Sequence, residues 1–175
     1  YTVGPYLFPT LLPELKLREP RLKLFIEENL TGVLRQMLRR GQLDAIIIAL
    51  PFTESDVTVT ELYSETFEVL LPEGHILTKQ SKVSPHQLHT ESVLLLGQGH
   101  CFRDQVINAC PNLAHFKNSH NDLTAEGSSL ETLRHMVASG LGITVLPSSA
   151  AGIHNYAPGY LATRRFCAPE PSRQV

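Results

Sequence analysis

Apolar side chains at helical spacing mark the first predicted element of the chain. They follow Pro5, which suits the first turn of a helix because an N–H there has no intrahelical partner. These apolar residues are Leu7, Phe8, Leu11, Leu12 and Leu15. Pro9 and Pro13 fall inside the same pattern, and each removes a backbone hydrogen bond. The pattern therefore predicts a helix with a kink.

The pattern then changes from strand to helix and back to strand. Alternating leucine and isoleucine over residues 22–26 predict a strand. Thr31 can cap a helix that carries apolar residues over 33–38 and ends at Gly41. The run AIIIAL at 45–50 is continuously apolar and is followed by proline, as expected of a strand buried on both faces.

The second half of the chain shows the same alternation of elements. FEVLLP at 67–72 and VLLLG at 93–97 predict strands, and Ser84 followed by proline opens a short helix. Ser128 and Glu131 have the spacing of a capping box at the start of another helix. We therefore expect strands and helices to alternate here as well.

Two stretches share one order of elements. RQMLRRGQLDAIIIALP at 35–51 and RHMVASGLGITVLP at 134–147 each contain a helix, a glycine stop, a buried strand and a proline. This similarity predicts two α/β halves, with VTVTELYSETFEVLLP at 57–72 as the crossover between them. Strands that alternate with helices favour mostly parallel sheets, with ligands at the carboxyl ends of the strands.

Composition and charge exclude some functions. The chain has 175 residues, 42% of them hydrophobic and 18% charged, as is usual for a globular protein. Fifteen Lys and Arg residues against 17 Asp and Glu residues give a net charge of −2. A surface that binds phosphates by itself is expected to be basic. We therefore expect no DNA or RNA contact from this chain.

The cellular setting follows from simple sequence features. No apolar run approaches the roughly 20 residues that span a bilayer, so no membrane contact is expected. The start lacks both a methionine and the pattern of a signal peptide, which is typical of a piece of a longer protein. Three cysteines are too few for a secreted disulfide scaffold. A reducing, cytoplasmic location is the expectation, and no cofactor is indicated.

Two cysteines lie nine positions apart in GHCFRDQVINAC, residues 99–110. Cys101 follows a predicted strand and a glycine-containing turn, so we expect it at or near a helix N-terminus. The partial positive charge and free N–H groups of that position favour a thiolate. His100 beside it can accept a proton or donate a hydrogen bond. This setting favours a reactive Cys101 more strongly than a reactive Cys110, which precedes a proline.

The residues alone leave several interpretations of the pair open. Cysteines are often small buried core residues. A zinc site would draw on ligands from the set His100, Cys101, Cys110, His115 and His120. No CxxC or HxxxH pair is present, however, and adjacent side chains chelate poorly, so no metal is expected.

A disulfide raises a geometric problem. If residues 101–110 are helical, nine rises of about 1.5 Å separate the two Cα atoms by roughly 13.5 Å. A disulfide tolerates at most about 7 Å between Cα atoms. The bond can therefore form only if the segment refolds on oxidation, and it would then be a switch rather than a permanent cross-link.

GHCFRDQVINAC resembles the redox segment of the peroxide-sensing LysR-type transcription regulators. TVGPYLFP, GQLDAIIIAL and SSLETLRHMVASGLGITVLP are also similar to the regulatory domain of these proteins, in the right order. The resemblance covers nearly the whole chain. It implies an α/β fold of two Rossmann-like lobes, as in periplasmic binding proteins, with an effector pocket between them. The implied division is 1–65 for the first lobe, 66–166 for the second, and 167–175 for the start of the return crossover.

The resemblance also implies roles for the redox segment. Cys101 matches the peroxide-reacting cysteine, and Cys110 matches the resolving cysteine that forms a disulfide with it. His100 and Asp104 match neighbours in the same segment, with His100 near the reacting thiol.

Outside that segment, the resemblance implies four further matches. Thr2 and Thr31 match threonines that line the effector pocket, where hydroxyl groups hold peroxide. Arg173 matches an arginine that favours the thiolate by its charge, and Cys167 matches a structural cysteine outside the switch. On their own terms, Thr31 is equally a helix cap, and Arg173 near the chain end is more typical of a solvated charge.

The function that the resemblance implies is that of a sensor and not an enzyme. We expect the regulatory domain of a transcription activator that responds to hydrogen peroxide and forms a homodimer or homotetramer. DNA would be bound only by an N-terminal helix-turn-helix domain absent from this chain, and RNA polymerase would be a partner of the full-length protein. The rivals are a thiol peroxidase that uses the same two sulfurs, and a LysR-type or solute-binding domain that senses a small metabolite.

Overall fold

Helices and strands alternate through most of the chain. The computed structural model describes residues 1–111, 113, 125–152 and 159–175. Its α-helices are α1 (Gly4–Arg18), α2 (Thr31–Arg39), α3 (Cys101–Ala109), α4 (Leu130–Ala138) and α5 (Ser148–Ala151). Short 3-10 helices cover Ile76–Lys79 and Pro85–Thr90. The strands are β1 (Ser64–Pro72), β2 (Lys82–Val83), β3 (Val93–Leu96), β4 (Glu126–Gly127), β5 (Ile143–Pro147), β6 (Leu161–Phe166) and β7 (Ser172–Gln174).

These strands form one mixed sheet in the order β2-β6-β1-β5-β3-β4, with β7 paired to β1. β3 is parallel to β4 and β5, because α3 and α4 carry the chain back across the sheet between them. β1, in contrast, is antiparallel to β5, β6 and β7. The prediction of mostly parallel sheets is thus correct around β3 and wrong around β1. β1 is the first strand of the described chain, so no helical crossover from an earlier strand makes it parallel to a neighbour.

The core lies between this sheet and the helices packed on it. Val69, Leu70 and Leu71 of β1 have no exposed surface, and Leu133 and Val137 bring the apolar side of α4 to the same cluster. α3 contributes an apolar face as well, consisting of Phe102, Val106 and Ile107. Each fully buried side chain of this size stabilises the fold by about 1.5–3 kcal/mol. The position of α3 is therefore set by packing along its whole length.

Two predicted strands are absent. The structure assigns no strand over 22–26 or 45–50, although both segments are described. Leu22 and Leu24 are about half exposed, at 51% and 52%. An alternating or continuous apolar pattern predicts which side chains avoid water, but a strand also needs a hydrogen-bonding neighbour. These segments form no ladder with the described part of the chain, and the first of the two similar stretches therefore ends without the expected strand.

Helix boundaries also differ from the predicted ones. α1 runs through Pro9 and Pro13 as one helix. Ser84 opens the expected short helix, and it forms a capping box with Gln87. At α4 the cap is Ser129, whose hydroxyl accepts a hydrogen bond from the Thr132 amide, so the prediction of Ser128 was wrong by one residue.

α1 is attached to the rest of the fold through a side chain. The Tyr6 hydroxyl donates a 2.8 Å hydrogen bond to the Glu131 carboxylate of α4.

Within the described ranges no helix combines the length and apolarity that crossing a membrane requires. The division of the chain at 65/66 and 166/167 stays a prediction.

Candidate functional site around Cys101

The turn between β3 and α3 places Cys101. Gly99 has a φ of +92°, a left-handed conformation that favours glycine, and a Cβ atom there would lie 3.2 Å from Leu30 Cδ1. His100 is the N-cap of α3 but makes no capping hydrogen bond with its side chain, and Cys101 is the first helical residue. The predicted position of Cys101 at a helix N-terminus is confirmed. Its sulfur therefore lies at the positive end of the α3 dipole.

Thr31 faces Cys101 from another helix. The Thr31 Oγ1 donates a hydrogen bond to the Cys101 Sγ over 3.6 Å. Thr31 is the first residue of α2, while Leu30 is its N-cap, so the prediction that Thr31 caps this helix was wrong. Its hydroxyl is directed at the sulfur of a residue 70 positions away and not at its own helix. A hydrogen bond from a hydroxyl stabilises a thiolate more than a thiol, because the sulfur acceptor of a thiolate carries a negative charge.

A cavity of about 350 Å³ opens beside this contact. Thr2, Thr31, His100 and Cys101 all line it, so the structure brings together four of the residues that the sequence selected. Much of the remaining wall is apolar and comes from α1 and from residues 43–49. A small polar molecule in this cavity would meet the thiol and the hydroxyl groups at one place.

His100 is neutral near pH 7 in this setting. Burial lowers its pKa below the usual 6.5, because an imidazole away from water disfavours the charged form. The Tyr1 and His100 rings lie 5.7 Å apart between centroids. A neutral imidazole can donate from one nitrogen and accept at the other, so His100 offers the cavity a proton donor and a proton acceptor.

Cys110 lies in a different environment at the far end of α3. It is the C-cap residue, it has no exposed surface, and it belongs to the core cluster. Burial raises the pKa of the Cys110 thiol to about 11. Both cysteines are free. The two thiols are thus not equivalent: one lines a cavity, and the other is buried and protonated.

Arg173 is buried. Its position near the chain end had suggested a solvated charge instead. Only 4% of it is exposed, and its guanidinium contacts Glu65 at 2.7 Å and donates to Thr2 Oγ1 over 3.0 Å. Sequence reasoning missed Glu65. The signal was present, because Glu65 is in phase with Phe67 and Val69 on the buried side of β1. A carboxylate in the apolar phase of a strand indicates a buried partner.

The remaining candidates lie away from the cavity. Asp104 is in the first turn of α3, but its side chain is exposed. Cys167 is an exposed free thiol, and its side chain is not part of the core. His115 and His120 of the zinc interpretation lie outside the described residues. Within the described part of the chain no three potential metal ligands come together.

The chain is similar to known proteins over nearly its whole length. The family described as the LysR substrate binding domain matches residues 1–175. A probable hydrogen peroxide-inducible genes activator of Mycobacterium avium is 37% identical over 175 residues, covering 99% of this chain and 55% of that protein. The chain thus spans about half the length of the curated relatives that it matches.

Solved structures are similar over the same range. The reduced form of the OxyR regulatory domain from Pseudomonas aeruginosa is 53% identical, with a TM-score of 0.88 and coverage of 99% of this chain and 80% of that one. A reduced form of OxyR from Neisseria meningitidis is 42% identical, with a TM-score of 0.93 and the same coverage. These similarities confirm the predicted α/β fold of the periplasmic-binding-protein type.

Proposed function

Because the chain belongs to the LysR substrate binding domain family, we propose that it is the sensory domain of a hydrogen-peroxide-responsive transcription regulator. Its switch is a reversible disulfide between Cys101 and Cys110. The observation that carries this proposal is the unequal setting of the two thiols on one helix. Cys101 lines the cavity and accepts a hydrogen bond from Thr31, whereas Cys110 is buried at the other end of α3. A reacting and a resolving cysteine need this difference.

The first chemical step is attack of the Cys101 thiolate on one oxygen of hydrogen peroxide. A sulfur–oxygen bond forms, the oxygen–oxygen bond breaks, and the departing hydroxide takes a proton to become water. Cys101 is then a sulfenic acid. That proton is the one that the Cys101 thiol released to solvent when the thiolate formed. Neutral His100 and the Thr2 hydroxyl can each donate a hydrogen bond to the departing oxygen.

The second step joins the two sulfurs. The Cys110 sulfur, once deprotonated, attacks the Cys101 sulfur, and the hydroxyl group leaves as a second water. Across both steps one peroxide is reduced by two electrons, and two thiols are oxidised to one disulfide. With Cys101 and Cys110 at opposite ends of α3, about 13.5 Å of helix separates their Cα atoms. Because a disulfide spans about 7 Å at most, α3 has to unwind.

This unwinding is how a local oxidation becomes a signal. α3 contributes Phe102, Val106 and Ile107 to the core, so it cannot unwind without a rearrangement of its neighbours. We infer that the rearrangement alters contacts between subunits of a homodimer or homotetramer. DNA would then be read by a domain outside this chain, with RNA polymerase as the partner of the whole protein and the cytoplasm as its location. Asp104 and Arg173 stay predicted contributors to the site.

Thiol counting after addition of peroxide tests the proposal. The reduced protein is treated with one equivalent of hydrogen peroxide, and its peptides are analysed by mass spectrometry. We expect the loss of two thiols and a peptide pair linked through Cys101 and Cys110, with Cys167 still free. An unchanged thiol count would favour a sensor of a small metabolite instead. Sustained peroxide consumption in the presence of thioredoxin would favour a thiol peroxidase.

A further inference from the structure

Glu65 and Arg173 form a buried ion pair across two strands. They are opposite residues in the antiparallel pairing of β1 with β7, and 7% of Glu65 and 4% of Arg173 are exposed. The Glu65 Oε1 accepts a 2.8 Å hydrogen bond from Arg173 Nε and lies 2.7 Å from Arg173 Nη2. The Glu65 Oε2 accepts a 3.2 Å hydrogen bond from the Ser149 amide. The carboxylate is thus held at both oxygens, and it holds the guanidinium along one edge.

The rest of the guanidinium is directed at the candidate site. Arg173 Nη1 donates to Thr2 Oγ1 over 3.0 Å, and Nη2 donates to the Thr2 carbonyl oxygen over 2.6 Å. The guanidinium carbon lies 5.1 Å from the centre of the Phe102 ring, next to Cys101 in α3. Because Arg173 occupies a lone pair of the Thr2 hydroxyl, the hydrogen of that hydroxyl is left to donate into the cavity.

The charge of the pair matters as much as its geometry. An unpaired arginine behind Cys101 would favour the thiolate through its field, as the sequence suggested for Arg173. The Glu65 carboxylate compensates that charge at less than 3 Å, so the two side chains together carry no net charge. The Thr31 hydroxyl and the α3 N-terminus, in contrast, face the Cys101 sulfur directly.

We propose that Glu65 is a positioning residue for the peroxide reaction, acting through Arg173 on the Thr2 hydroxyl. This inference rests on the proposed function, since it assigns a role within that reaction. Glu65 fixes Arg173, and Arg173 fixes the Thr2 hydroxyl as a donor to the departing oxygen. Glu65 also neutralises the charge of Arg173, which by itself would favour the thiolate form of Cys101.

The test compares Glu65→Gln, Thr2→Val and the double variant with the wild-type protein. The rate of Cys101 oxidation by hydrogen peroxide is measured from pH 5 to pH 10 by thiol loss. At the alkaline plateau we expect Glu65→Gln and Thr2→Val each to lose about 2- to 10-fold, the range of one hydrogen bond. The double variant should lose no more than either one, because both changes remove the same donor. In Glu65→Gln the pH of half-maximal rate should fall, since the charge of Arg173 is then uncompensated.

Glu68→Gln is the matched control. Glu68 lies on the same strand and pairs with Arg165, its opposite residue on β6, at 4.0 Å. Its replacement should leave both the plateau rate and the half-maximal pH at the wild-type values. Losses that add in the double variant, or a Glu65→Gln variant equal to wild type, would overturn the inference while the proposed function stands. A wild-type protein that does not react overturns the proposed function itself.

A second variant covers the case in which Glu65→Gln does not fold. Glu65→Asp keeps the charge, but its shorter side chain cannot reach Arg173 and the Ser149 amide together. We expect a lower plateau rate with an unchanged pH of half-maximal rate. A plateau rate equal to that of the wild type would contradict the positioning role.

Discussion

The hydroxyl of Thr31 donates a hydrogen bond to the sulfur of Cys101 over 3.6 Å. The contact joins the first residues of two helices, α2 and α3. A sulfur acceptor is large and polarizable, so a contact of this length is a normal hydrogen bond to sulfur. Because Thr31 belongs to α2, the helix holds its hydroxyl in place. The Cys101 sulfur therefore receives this hydrogen bond from a fixed direction.

Replacement of Thr31 by valine should slow the reaction of Cys101 with peroxide at every pH. Valine has nearly the same shape but no donor, so the loss is that of one hydrogen bond, about 2- to 10-fold in rate. Stopped-flow thiol consumption across pH measures it. Thr90→Val is the control, because Thr90 is exposed and donates only to the Gln87 carbonyl within a 3-10 helix. Equal rates in the wild type and Thr31→Val would show that the contact does not assist the reaction.

Replacement of Cys110 by serine should trap the sulfenic acid at Cys101, because the resolving thiol is gone. Mass spectrometry should find one added oxygen on the peptide that contains Cys101, and a dimedone adduct at the same sulfur. In the reciprocal variant, Cys101→Ser, the buried Cys110 should stay unoxidised by one equivalent of peroxide. Similar loss of reactivity in both variants would contradict the assigned order of the two thiols.

The raised pKa of Cys110 predicts a loss of stability at alkaline pH. Burial raises this pKa from 9.0 to about 11, so the folded state binds the proton more tightly than the unfolded state. The resulting stabilisation is complete below pH 9 and is lost as the pH rises toward 11. Urea unfolding of the reduced protein should show a falling free energy of unfolding over this range. Cys110→Ala should lack that component, and a slope identical in both proteins would rule out the assignment.

A salt bridge of α3 is expected to oppose formation of the disulfide, because it stabilises the helical form of this segment. Arg103 Nη1 donates to Glu126 Oε1 over 2.8 Å and to the Leu96 carbonyl oxygen over 2.7 Å, so it attaches α3 to β3 and β4. Unwinding α3 disturbs these contacts. Glu126→Gln should therefore favour the oxidised form by about 0.5–1 kcal/mol, the range of a partly exposed ion pair. For a two-electron couple this shifts the reduction potential by about 10–20 mV to more negative values.

Redox titration against glutathione measures that shift. Glu170→Gln is the control, because Glu170 pairs with Lys82 at 3.1 Å and lies away from α3. The two variants should differ by the full shift. A Glu126→Gln potential equal to that of Glu170→Gln would mean that the salt bridge is equally strong in both redox states.

Local patterns in the sequence predicted correctly those elements that depend on interactions between residues close together in the chain. The apolar run of β3 and the glycine-containing turn after it placed Cys101 at a helix start, because strand ends and helix starts depend on neighbouring residues. The strands predicted over 22–26 and 45–50 did not form. Each had a suitable pattern, but a ladder also requires a partner strand, which a local pattern cannot specify.

Side-chain roles divided in the same way. By itself, the sequence determined the helical segment with a cysteine at each end, and therefore that a disulfide between them requires refolding. Only the tertiary structure decided that Thr31 donates to sulfur and does not cap its own helix, and that Arg173 is buried against Glu65. These contacts join residues 70 and 108 positions apart. These contacts exist because the sheet brings distant segments of the chain together. The residue types along the chain do not specify which distant side chains become neighbours.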